Sequence, residues 1–471
     1  MIQVQLSDEQ KRLFEYIEST EAHVFVTGRA GTGKSTLLNY LVENTDKSVA
    51  VVAPTGIAAL NVNGRTINSL FGFHFDLLHD VDFGKQMRRY TREILAAIDL
   101  LVIDEVSMVN ADTMDAISRA MGVARGKRKV PFGGAQVVMF GDPYQLAPVP
   151  PRKPHEIAYM GENYQSLWFF DAHVWRDAGL ERYELIEIFR QKDGRFKDIL
   201  NAIRDGSVTQ EMLDELNQQA VRAIPHNDVL RLATVNAMVD SVNRNRLAEL
   251  PAKSRVFKAQ ASGDLKAFEN TKPAEEQLEL KEGAQVMFIK NDDSSPFKDS
   301  DGSAIRRWVN GTIGRVVEFK SDSHIIVEAD GVRHDVGRAT WEQVKYELEE
   351  YFDEDTNKVK EKIISVPVAE YRQFPLRLAW AVTIHKSQGQ TFDEVMIDLG
   401  SGAFATGQTY VGLSRVRSMN GLYLNRAIRL ADIKVDTRVL AFMNGHHNTE
   451  TPGIDEADYG DFLPDDDVPI F

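Results

Sequence analysis

Short apolar runs, each ending in a polar or glycine-containing turn, recur through the first third of the chain. They are HVFVT (23–27), SVAVVAPTG (48–56), LLVIDE (100–105) and AQVVMFGD (135–142). Such runs indicate buried parallel strands, and the helically spaced apolar residues of TLLNYLV indicate a helix after the first run. Ligands of open α/β sheets bind beyond the carboxyl ends of the strands, where these turns fall. The pattern therefore predicts a nucleotide-binding α/β sheet.

A second α/β region is predicted to begin near Glu181 with ELIEIFRQKD and VLRLATVNAMVDSVNRNRL, and to resume after residue 376 with LAWAVTIHKSQGQT and EVMIDLG. From about Gly283 to Pro375 the pattern changes to short strands with glycine and Asn/Asp turns, as in QVMFIKND, GTIGRVVEF and HIIVEADG. These strands predict a small β-barrel inserted in the second lobe. The expected units are 1–180, 181–282 together with 376–447, the insertion 283–375, and a disordered acidic tail, 448–471.

Composition narrows the class of protein. A chain of 471 residues is too long for one hydrophobic core, so two to four domains are expected. No apolar run has the length that a membrane helix needs, and the start, MIQVQLSDEQKRLFEYI, has no signal-type apolar core. The absence of cysteine excludes disulfides and thiolate metal sites. We expect a cytoplasmic protein, bacterial or from a phage and associated with the nucleoid.

Charge is distributed unevenly. The net charge of −15 argues mildly against a generic nucleic-acid binder. Residues 449–471, however, hold eight acids and no lysine or arginine, and without them the body carries −7. A second acidic segment, YELEEYFDEDTNKVKEK, spans 346–362. A local basic groove therefore remains compatible with the sequence.

The first candidate site is GRAGTGKST, which matches the phosphate-loop pattern G-x-x-x-x-G-K-[ST]. Loop N–H groups wrap the phosphates, the lysine Lys34 reaches the terminal ones, and the Ser35 hydroxyl holds Mg²⁺. The predicted ATP-binding residues of this loop are Gly28, Ala30, Gly31, Thr32, Gly33, Lys34, Ser35 and Thr36.

Two further strand ends carry candidate catalytic residues. In DEVSM, Asp104 is placed to hold Mg²⁺ opposite Ser35, and Glu105 is placed to act as general base on the attacking water. The alternative for an isolated Asp-Glu pair is a solvated strand end without a catalytic role. In GDPYQLAPV, Gln145 is a candidate for sensing the γ-phosphate or orienting water. Two distant arginines, Arg190 in EIFRQ and Arg415 in YVGLSRVRS, read from spacing alone as surface salt bridges.

The order of these motifs resembles the Pif (petite integration frequency) family of DNA helicases, superfamily one, group B, over about residues 6–440. The resemblance is carried by GRAGTGKST, APTGIAA (53–59), GRTINSLFG (64–72), IDEVSM, GDPYQLAPV, FRQ (189–191), TIHKSQGQT (383–391) and GQTYVGLSRVRS (407–418). The segment DTMDAISRAMGVARGKRKVPFGGAQ (112–136) resembles the stretch that distinguishes this family from RecD-like and Dda-like relatives. The resemblance implies two RecA-like lobes, a wedge insertion at about 72–95 in the first and an SH3-like barrel in the second.

The resemblance also implies roles for individual residues. Gln10 is implied to read adenine, Arg190 and Arg415 to be arginine fingers, and Gln388 with Gly389 to contact the nucleotide from the second lobe. Residues implied to face DNA are Pro54, Thr55, Gly56, Thr66, Asn68 and Ser69 on the first lobe and Thr234, Asn236, His385 and Lys386 on the second. Asn68 stands where the family usually has histidine, and asparagine can donate to phosphate but cannot become charged. His385 has an equal alternative as a strand-end histidine ordering the ATP site.

The segment LFGFHFDLL has alternating phenylalanines. Alternation favours a half-buried strand, with a base-stacking platform as the alternative. Because the family's wedge insertion falls here, Phe73 and Phe75 are candidate pin residues that split the duplex.

These features predict an ATP-driven motor on single-stranded and forked DNA, with ATP as substrate, Mg²⁺ as cofactor and no membrane partner. The resemblance implies 5′-to-3′ movement, as a monomer or a dimer on DNA, in replication, repair or telomere-type maintenance. A nucleotide kinase, a switch GTPase and an inactive DNA-binding scaffold are the alternatives. DFLPDDDVPIF (461–471) resembles the acidic tip of bacterial single-stranded-DNA-binding proteins, so a protein partner at 465–471 is one hypothesis and a solubilising tail the other.

Overall fold

The computed structural model describes residues 6–74, 76–187, 193–226, 228–263, 268, 272–292, 306–353 and 358–445. The α-helices of this part are α1 (Asp8–Ser19), α2 (Lys34–Asn44), α3 (Gly56–Asn61), α4 (Ile67–Phe71), α5 (Phe83–Gln86), α6 (Arg89–Ala97), α7 (Ala111–Ala124), α8 (Pro154–Asn163), α9 (His173–Asp177), α10 (Gly194–Asp205), α11 (Gln210–Ala220), α12 (Asn236–Glu249), α13 (Gln408–Leu413) and α14 (Thr437–Met443). Short 3₁₀ helices lie at Val106–Met108, Pro131–Gly134, Phe169–Asp171, Met419–Gly421 and Leu430–Asp432. Among the described helices, none has both the length and the apolar character needed to cross a bilayer.

The strands group into sheets that follow the apolar pattern of the sequence. The strands are β1 (Val24–Gly28), β2 (Val49–Ala53), β3 (Arg65–Thr66), β4 (Leu100–Ile103), β5 (Gln136–Phe140), β6 (Glu181–Leu185), β7 (Leu230–Ala233), β8 (Arg255–Lys258), β9 (Gln260–Gly263), β10 (Gln277–Leu280), β11 (Gln285–Phe288), β12 (Ile313–Glu318), β13 (His324–Ala329), β14 (Val332–Gly337), β15 (Ala339–Asp353), β16 (Lys358–Gln373), β17 (Leu376–Leu378), β18 (Ala381–Thr383), β19 (Val395–Asp398) and β20 (Leu422–Leu424).

The first lobe contains a parallel sheet in the order β3-β2-β4-β5-β1-β6. Strands β1, β4 and β5 are buried along their whole length, because helices cover both faces. The predicted runs at 23–27, 48–56, 100–105 and 135–142 are confirmed as β1, β2, β4 and β5. The ends of β4, β5 and β1 are neighbours at one edge, which is where the candidate catalytic residues follow.

The second lobe contains a smaller parallel sheet, β18-β7-β19-β20. Helices α10 and α11 pack against it through a separate apolar core that includes Phe196, Ile199 and Leu213. Two parallel sheets, each with its own core, confirm the predicted α/β class with two lobes.

Antiparallel strands are inserted in the second lobe. They form the sheet β14-β13-β12-β11-β17, the sheet β15-β16-β9 and the pair β10-β8. The first of these sheets contains the three strands predicted at 283–375 and also β17, just beyond that range; its closure as an SH3-like barrel stays a prediction. The first-lobe sheet likewise extends past the predicted boundary at residue 180, because β6 pairs with β1 from Glu181 to Leu185. The remaining domain limits stay predictions.

The long β15–β16 hairpin docks on the first lobe. The Tyr346 side chain is buried there, and its hydroxyl donates to the Val51 carbonyl and accepts from the Val51 N–H, both at 3.1 Å. The Tyr90 hydroxyl donates to the Tyr346 carbonyl, and the Ile363 N–H donates to the Ser48 hydroxyl. A strand insertion of the second lobe is thereby fastened to β2 of the first.

The helix α14 also returns to the first lobe. The Phe442 ring stacks on Phe170 with centroids 4.0 Å apart and contacts Phe169 edge-on. The Asp436 carboxylate, at the start of α14, accepts from the Trp168 indole N–H at 2.7 Å. The chain thus crosses between the lobes a second time near its described end, which limits how far they can separate without breaking this contact.

Candidate functional site

The phosphate-loop motif connects β1 to α2. Gly31 and Gly33 have φ angles of 86° and 78°, a region that favours glycine. Nζ of Lys34 donates to the carbonyl oxygens of Gly28 (2.6 Å) and Arg29 (3.2 Å), so the ammonium group lies inside the loop. The other loop residues are placed as follows: Gly28, Ala30 and Thr32 are buried, and Ser35 and Thr36 are exposed in the first turn of α2.

The carboxylates Asp104 and Glu105 follow β4. The left-handed φ of Glu105, 49°, is uncommon outside glycine and is often found at active sites. Burial, together with the neighbouring Glu105, raises the pKa of Asp104 to about 7. Burial also raises the pKa of Glu105, and the charges of Lys34 and Arg415 oppose that rise. This carboxylate pair disfavours its own charge, so it is suited to a cation or to proton transfer.

Gln388 joins the two lobes at this edge. Its Nε2 donates to Glu105 Oε2 at 3.3 Å and to Gln145 Oε1 at 3.2 Å. Gln145 is buried and follows β5, whereas Gln388 and Gly389 lie in the turn after β18. Three of the residues predicted for the ATP site, which are far apart in the sequence, are therefore in direct contact.

Arg415 is buried in the second lobe. Its guanidinium donates to the Val411 carbonyl (2.8 Å), the Ser387 carbonyl (3.4 Å) and the Ser414 hydroxyl (2.7 Å). The spacing-based interpretation as a surface salt bridge is wrong for Arg415, because its side chain is enclosed and its charge acts on Glu105. Arg190 lies outside the described residues.

Gln10 contacts the loop from α1. Its Oε1 accepts from the Ser7 N–H at 3.0 Å and closes a capping box. Its Nε2 donates to the carbonyls of Thr32 (3.3 Å) and Gly33 (3.2 Å). Both amide hydrogens are engaged with the loop backbone, so Gln10 supports the loop, and its reading of adenine stays a prediction.

Sequence reasoning missed a buried ion pair between the lobes. Nη2 of Arg204, on α10, donates to Asp142 Oδ1 at 3.1 Å, and the Asp142 side chain is fully buried. The other carboxylate oxygen of Asp142 accepts from Gln145 Nε2 at 3.1 Å. The Arg204 guanidinium also lies 4.1 Å from the centre of the Tyr144 ring. Burial disfavours the charged arginine, but Asp142 outweighs it, and the pKa of Arg204 stays above its ordinary value.

A second missed contact involves the loop itself. The Ala30 N–H donates to the Tyr410 hydroxyl at 3.1 Å, which ties the phosphate loop to α13 of the second lobe. Tyr410 lies within GQTYVGLSRVRS, and Asp142 within GDPYQLAPV. Because Tyr410 and Asp142 lie inside motifs that the sequence analysis identified, their position in those motifs was the one sign of a functional role.

The first-lobe DNA candidates lie together at the ends of β2 and β3, which are paired neighbours. Thr55 caps α3 and Thr66 caps α4 through their hydroxyls. Nδ2 of Asn68 donates to the His74 carbonyl at 3.2 Å, and the exposed Ser69 hydroxyl accepts from Arg65 at 2.6 Å. Pro54 is half-buried and Gly56 is buried at the same edge. Asn68 thus supports the turn that follows α4.

The second-lobe DNA candidates lie at the ends of β7 and β18, which are also paired. Thr234 is buried, Asn236 is half-buried at the start of α12, and His385 and Lys386 are exposed. Although His385 as a whole is exposed, partial desolvation by the surrounding protein lowers the pKa of its imidazole. The same effect, with the charge of Arg377, lowers the pKa of Lys386. Each lobe therefore gathers its candidates at one sheet edge.

Of the two wedge candidates, Phe73 is not placed as the alternation suggested. Phe71 ends α4 and Gly72 caps it with φ 71°, so residues 70–74 form a helix end and the start of a loop and not a half-buried strand. Phe73 is buried, and its ring centroid lies 5.1 Å from that of Phe71 and 5.4 Å from that of Phe83. A side chain in the apolar core is not available to separate bases. Phe75 lies outside the described residues.

Comparisons with known proteins agree on one family. The sequence model of PIF1-like helicases matches residues 5–214. The ATP-dependent DNA helicase Pif1 of Bdellovibrio bacteriovorus is 34% identical over 93% of this chain and 92% of its own length. A Bacteroides Pif1 structure in complex with ADP-AlF4 matches with a TM-score of 0.82 at 34% identity, over 94% of this chain and 97% of that one. A Bacteroides Pif1 bound to single-stranded DNA matches with a TM-score of 0.64 at 36% identity, over 94% and 97%. Of several longer relatives, the chain spans only 60–66%.

Proposed function

The chain belongs to the PIF1-like helicase family and is an ATP-dependent DNA helicase, and from that premise we propose that it moves 5′ to 3′ along single-stranded DNA. It would unwind duplex or structured DNA in replication, repair or telomere-type maintenance. The observation that carries the proposal is the contact of Gln388 with both Glu105 and Gln145, because it connects the site of hydrolysis to the second lobe. A change at the phosphates can then move one lobe relative to the other.

ATP is the substrate, and Mg²⁺ is the proposed cofactor. The raised pKa of Asp104 fits a bound cation, because a divalent ion would offset the burial of two neighbouring carboxyl groups. Asp104 and Ser35 would hold the ion, with phosphate oxygens completing a set of oxygen ligands. When bound, Mg²⁺ neutralises charge on the β- and γ-phosphates. Lys34, which already lies inside the loop, would reach the terminal phosphates.

The remaining residues act on water and on developing charge. Glu105 would accept a proton from the attacking water, and Gln145, held by Asp142, would orient that water. Arg415 would leave its carbonyl partners and stabilise the transition state, as an arginine finger does. Arg190 is proposed for the same role. Closing and opening of the cleft would then be coupled to each hydrolysis event.

DNA would run along the sheet edges that carry the candidate residues. Pro54, Thr55 and Gly56 offer backbone and hydroxyl groups to phosphates on the first lobe, and His385 and Lys386 offer exposed donors on the second. Alternating grip by the two edges would give stepping along the strand. This use of two lobes distinguishes the proposal from a nucleotide kinase or a switch GTPase, which need no second lobe.

ATPase assays with and without single-stranded DNA test this proposal. We expect a many-fold rise in rate with DNA in the unmodified chain and no activity in Lys34→Ala, because the terminal phosphates lose their cation. Gln388→Ala should keep ATP binding but lose most of the stimulation by DNA. Equal rates with and without DNA would contradict a motor and favour a nucleotide-processing enzyme.

A protein partner of the acidic tip, 465–471, is a separate proposal that rests on sequence chemistry. Three consecutive acids followed by the apolar residues VPIF suit a basic pocket with an apolar floor. We also propose that the chain acts on DNA as a monomer or as a dimer. Its place of action would be the nucleoid of a bacterium or a phage genome. A pull-down with and without residues 449–471 tests the tip, and retention of the same partners by both forms would contradict it.

A further inference from the structure

One strongly basic surface stands out on this acidic protein. It consists of Lys85 on α5, Arg88 at the N-cap of α6, and Arg89 and Arg92 on α6, together with Lys127, Arg128 and Lys129 after α7. We call these seven residues the basic surface. All but the half-buried Arg92 are exposed, and none belongs to the ATP site or to the two sheet edges proposed for single-stranded DNA.

The loop that carries three of these cations is held firmly. Phe132, at the far end of the loop, is fully buried although its φ is 50°, and its N–H donates to the Ser118 hydroxyl at 2.9 Å. Arg125 donates to the Gly133 carbonyl at 3.0 Å and to the Ala96 carbonyl at 2.9 Å. A loop anchored at both ends holds the backbone of its two lysines and one arginine in place, which lowers the backbone entropy lost on binding.

The two parts of the basic surface meet at Gly84. A Cβ on Gly84 would lie 3.1 Å from Nη2 of Arg128, so the Arg128 side chain extends onto α5. Nη2 of Arg92 donates to the Gly84 carbonyl at 3.0 Å. Lys85, next in the chain, has an almost fully exposed side chain. Cations from two separate segments thus form one continuous area.

Few acids compensate this charge. Lys85 lies 3.5 Å from Asp82 and Arg89 lies 2.7 Å from Glu93, both in exposed pairs that contribute little. Within the part of the chain that the structure describes, Lys127, Arg128 and Lys129 have no ion pair. Two of the seven cations are ion-paired with acids, and the basic surface is opposite in sign to the net charge of −15 of the chain. Such a surface attracts a polyanion that the rest of the protein repels.

We propose that the basic surface binds the phosphate backbone of the duplex ahead of the point where the strands separate. Duplex DNA requires only charge at regular spacing, whereas single-strand grip relies largely on stacking. The neighbouring exposed aromatic residue, Tyr90, is tied by its hydroxyl to the Tyr346 carbonyl. The surface lies on the 72–95 segment and on the 112–136 segment next to it. This inference rests on the proposed function, because it names the duplex as a second ligand of the same motor.

The test compares two DNAs with the same single-stranded tail, one of which continues into a duplex. Fluorescence anisotropy gives the affinity of the full-length chain for each as salt is raised. We expect Lys127→Gln/Arg128→Gln/Lys129→Gln to weaken binding of the tailed duplex about ten-fold, with a log–log salt slope shallower by about 2 to 3. The affinity for the single-stranded DNA without the duplex serves as the internal reference and should change much less.

A matched control removes the same charge elsewhere. Arg12→Gln/Arg176→Gln/Lys253→Gln replaces three exposed cations outside the basic surface and should leave the ratio of the two affinities unchanged. Equal thermal unfolding temperatures of both variants and the unmodified chain show that each is folded. An unchanged ratio and slope in the first triple variant would overturn the proposal, as would an equal loss of affinity for both DNAs.

The acidic tail is the alternative occupant of this surface, and the same assay separates the two. In a chain lacking residues 449–471, the triple variant should still lose affinity for the tailed duplex. If the loss occurs only when residues 449–471 are present, the basic surface acts through this acidic segment and the proposal is wrong. If the unmodified chain neither hydrolyses ATP in response to DNA nor unwinds it, the proposed function fails; if it does both and only the ratio is unaffected, the inference alone fails.

Discussion

Arg204→Met should substantially destabilise the contact between the lobes. The substitution keeps much of the side-chain volume but leaves the fully buried Asp142 carboxylate without its cation. Removal of one partner from a buried pair costs about 3–5 kcal/mol, because the remaining charge is desolvated and uncompensated. The Tyr144 N–H and the Gln145 amide still donate to Asp142, so the expected loss lies at the lower end of that range, about 3 kcal/mol.

Urea unfolding followed by tryptophan fluorescence measures this loss. Arg195→Met is the matched control, since it lies on the same helix and pairs with Glu215 at the surface; a loss of at most about 1 kcal/mol is expected from it. Arg204→Met combined with Asp142→Asn should recover part of the stability, because no buried charge is then left. A loss below about 1 kcal/mol in Arg204→Met, or no recovery in the double variant, would refute the reasoning.

Three further predictions follow from named contacts. Tyr346→Phe should lower the free energy of unfolding by about 1–3 kcal/mol, because the buried N–H and carbonyl of Val51 lose their partner; urea unfolding measures it, with the exposed Tyr351→Phe on the same hairpin as control. Phe442→Ala should cost about 3–5 kcal/mol by the same assay, since the ring packs in the first-lobe core, and a loss under about 1 kcal/mol would contradict that docking. Desolvation lowers the pKa of His385 in the free chain, so its imidazole gains charge at a lower pH than an ordinary histidine, and any contribution of that charge to single-strand affinity should grow as the pH falls towards and below about 6.5. Titration across that range should show the gain in the unmodified chain and not in His385→Gln; the same gain in both would contradict the assignment.

The first lobe was the most predictable part of the fold. Its strands are continuous apolar runs because helices cover both faces of the sheet, and polar residues such as Asp104 and Gln145 follow where those strands end. The sheet order of the structure, in which β4 and β5 are neighbours, then brings these residues side by side. The pattern along a strand therefore located this half of the site, although it did not show that Gln388 completes it.

Contacts between distant segments were not predictable from local pattern. Arg204 lies in an amphipathic helix, where an arginine ordinarily faces water, and only the packing of the lobes buries it against Asp142. Tyr346 begins the acidic segment 346–362, whose charge gives no sign of burial, yet its ring enters the first-lobe core. Alternation around Phe73 suggested a strand because a helix end capped by Gly72 has no distinctive spacing of its own.

The directional unwinding assay tests the central proposal most directly. Two duplexes that differ only in the polarity of a single-stranded tail are incubated with the full-length chain and ATP, with Lys34→Ala as the inactive control. We expect ATP-dependent strand separation on the 5′-tailed duplex, little on the 3′-tailed one, and none with Lys34→Ala. Unwinding of the 3′-tailed duplex in preference, or strand separation that persists in Lys34→Ala, would contradict the proposal.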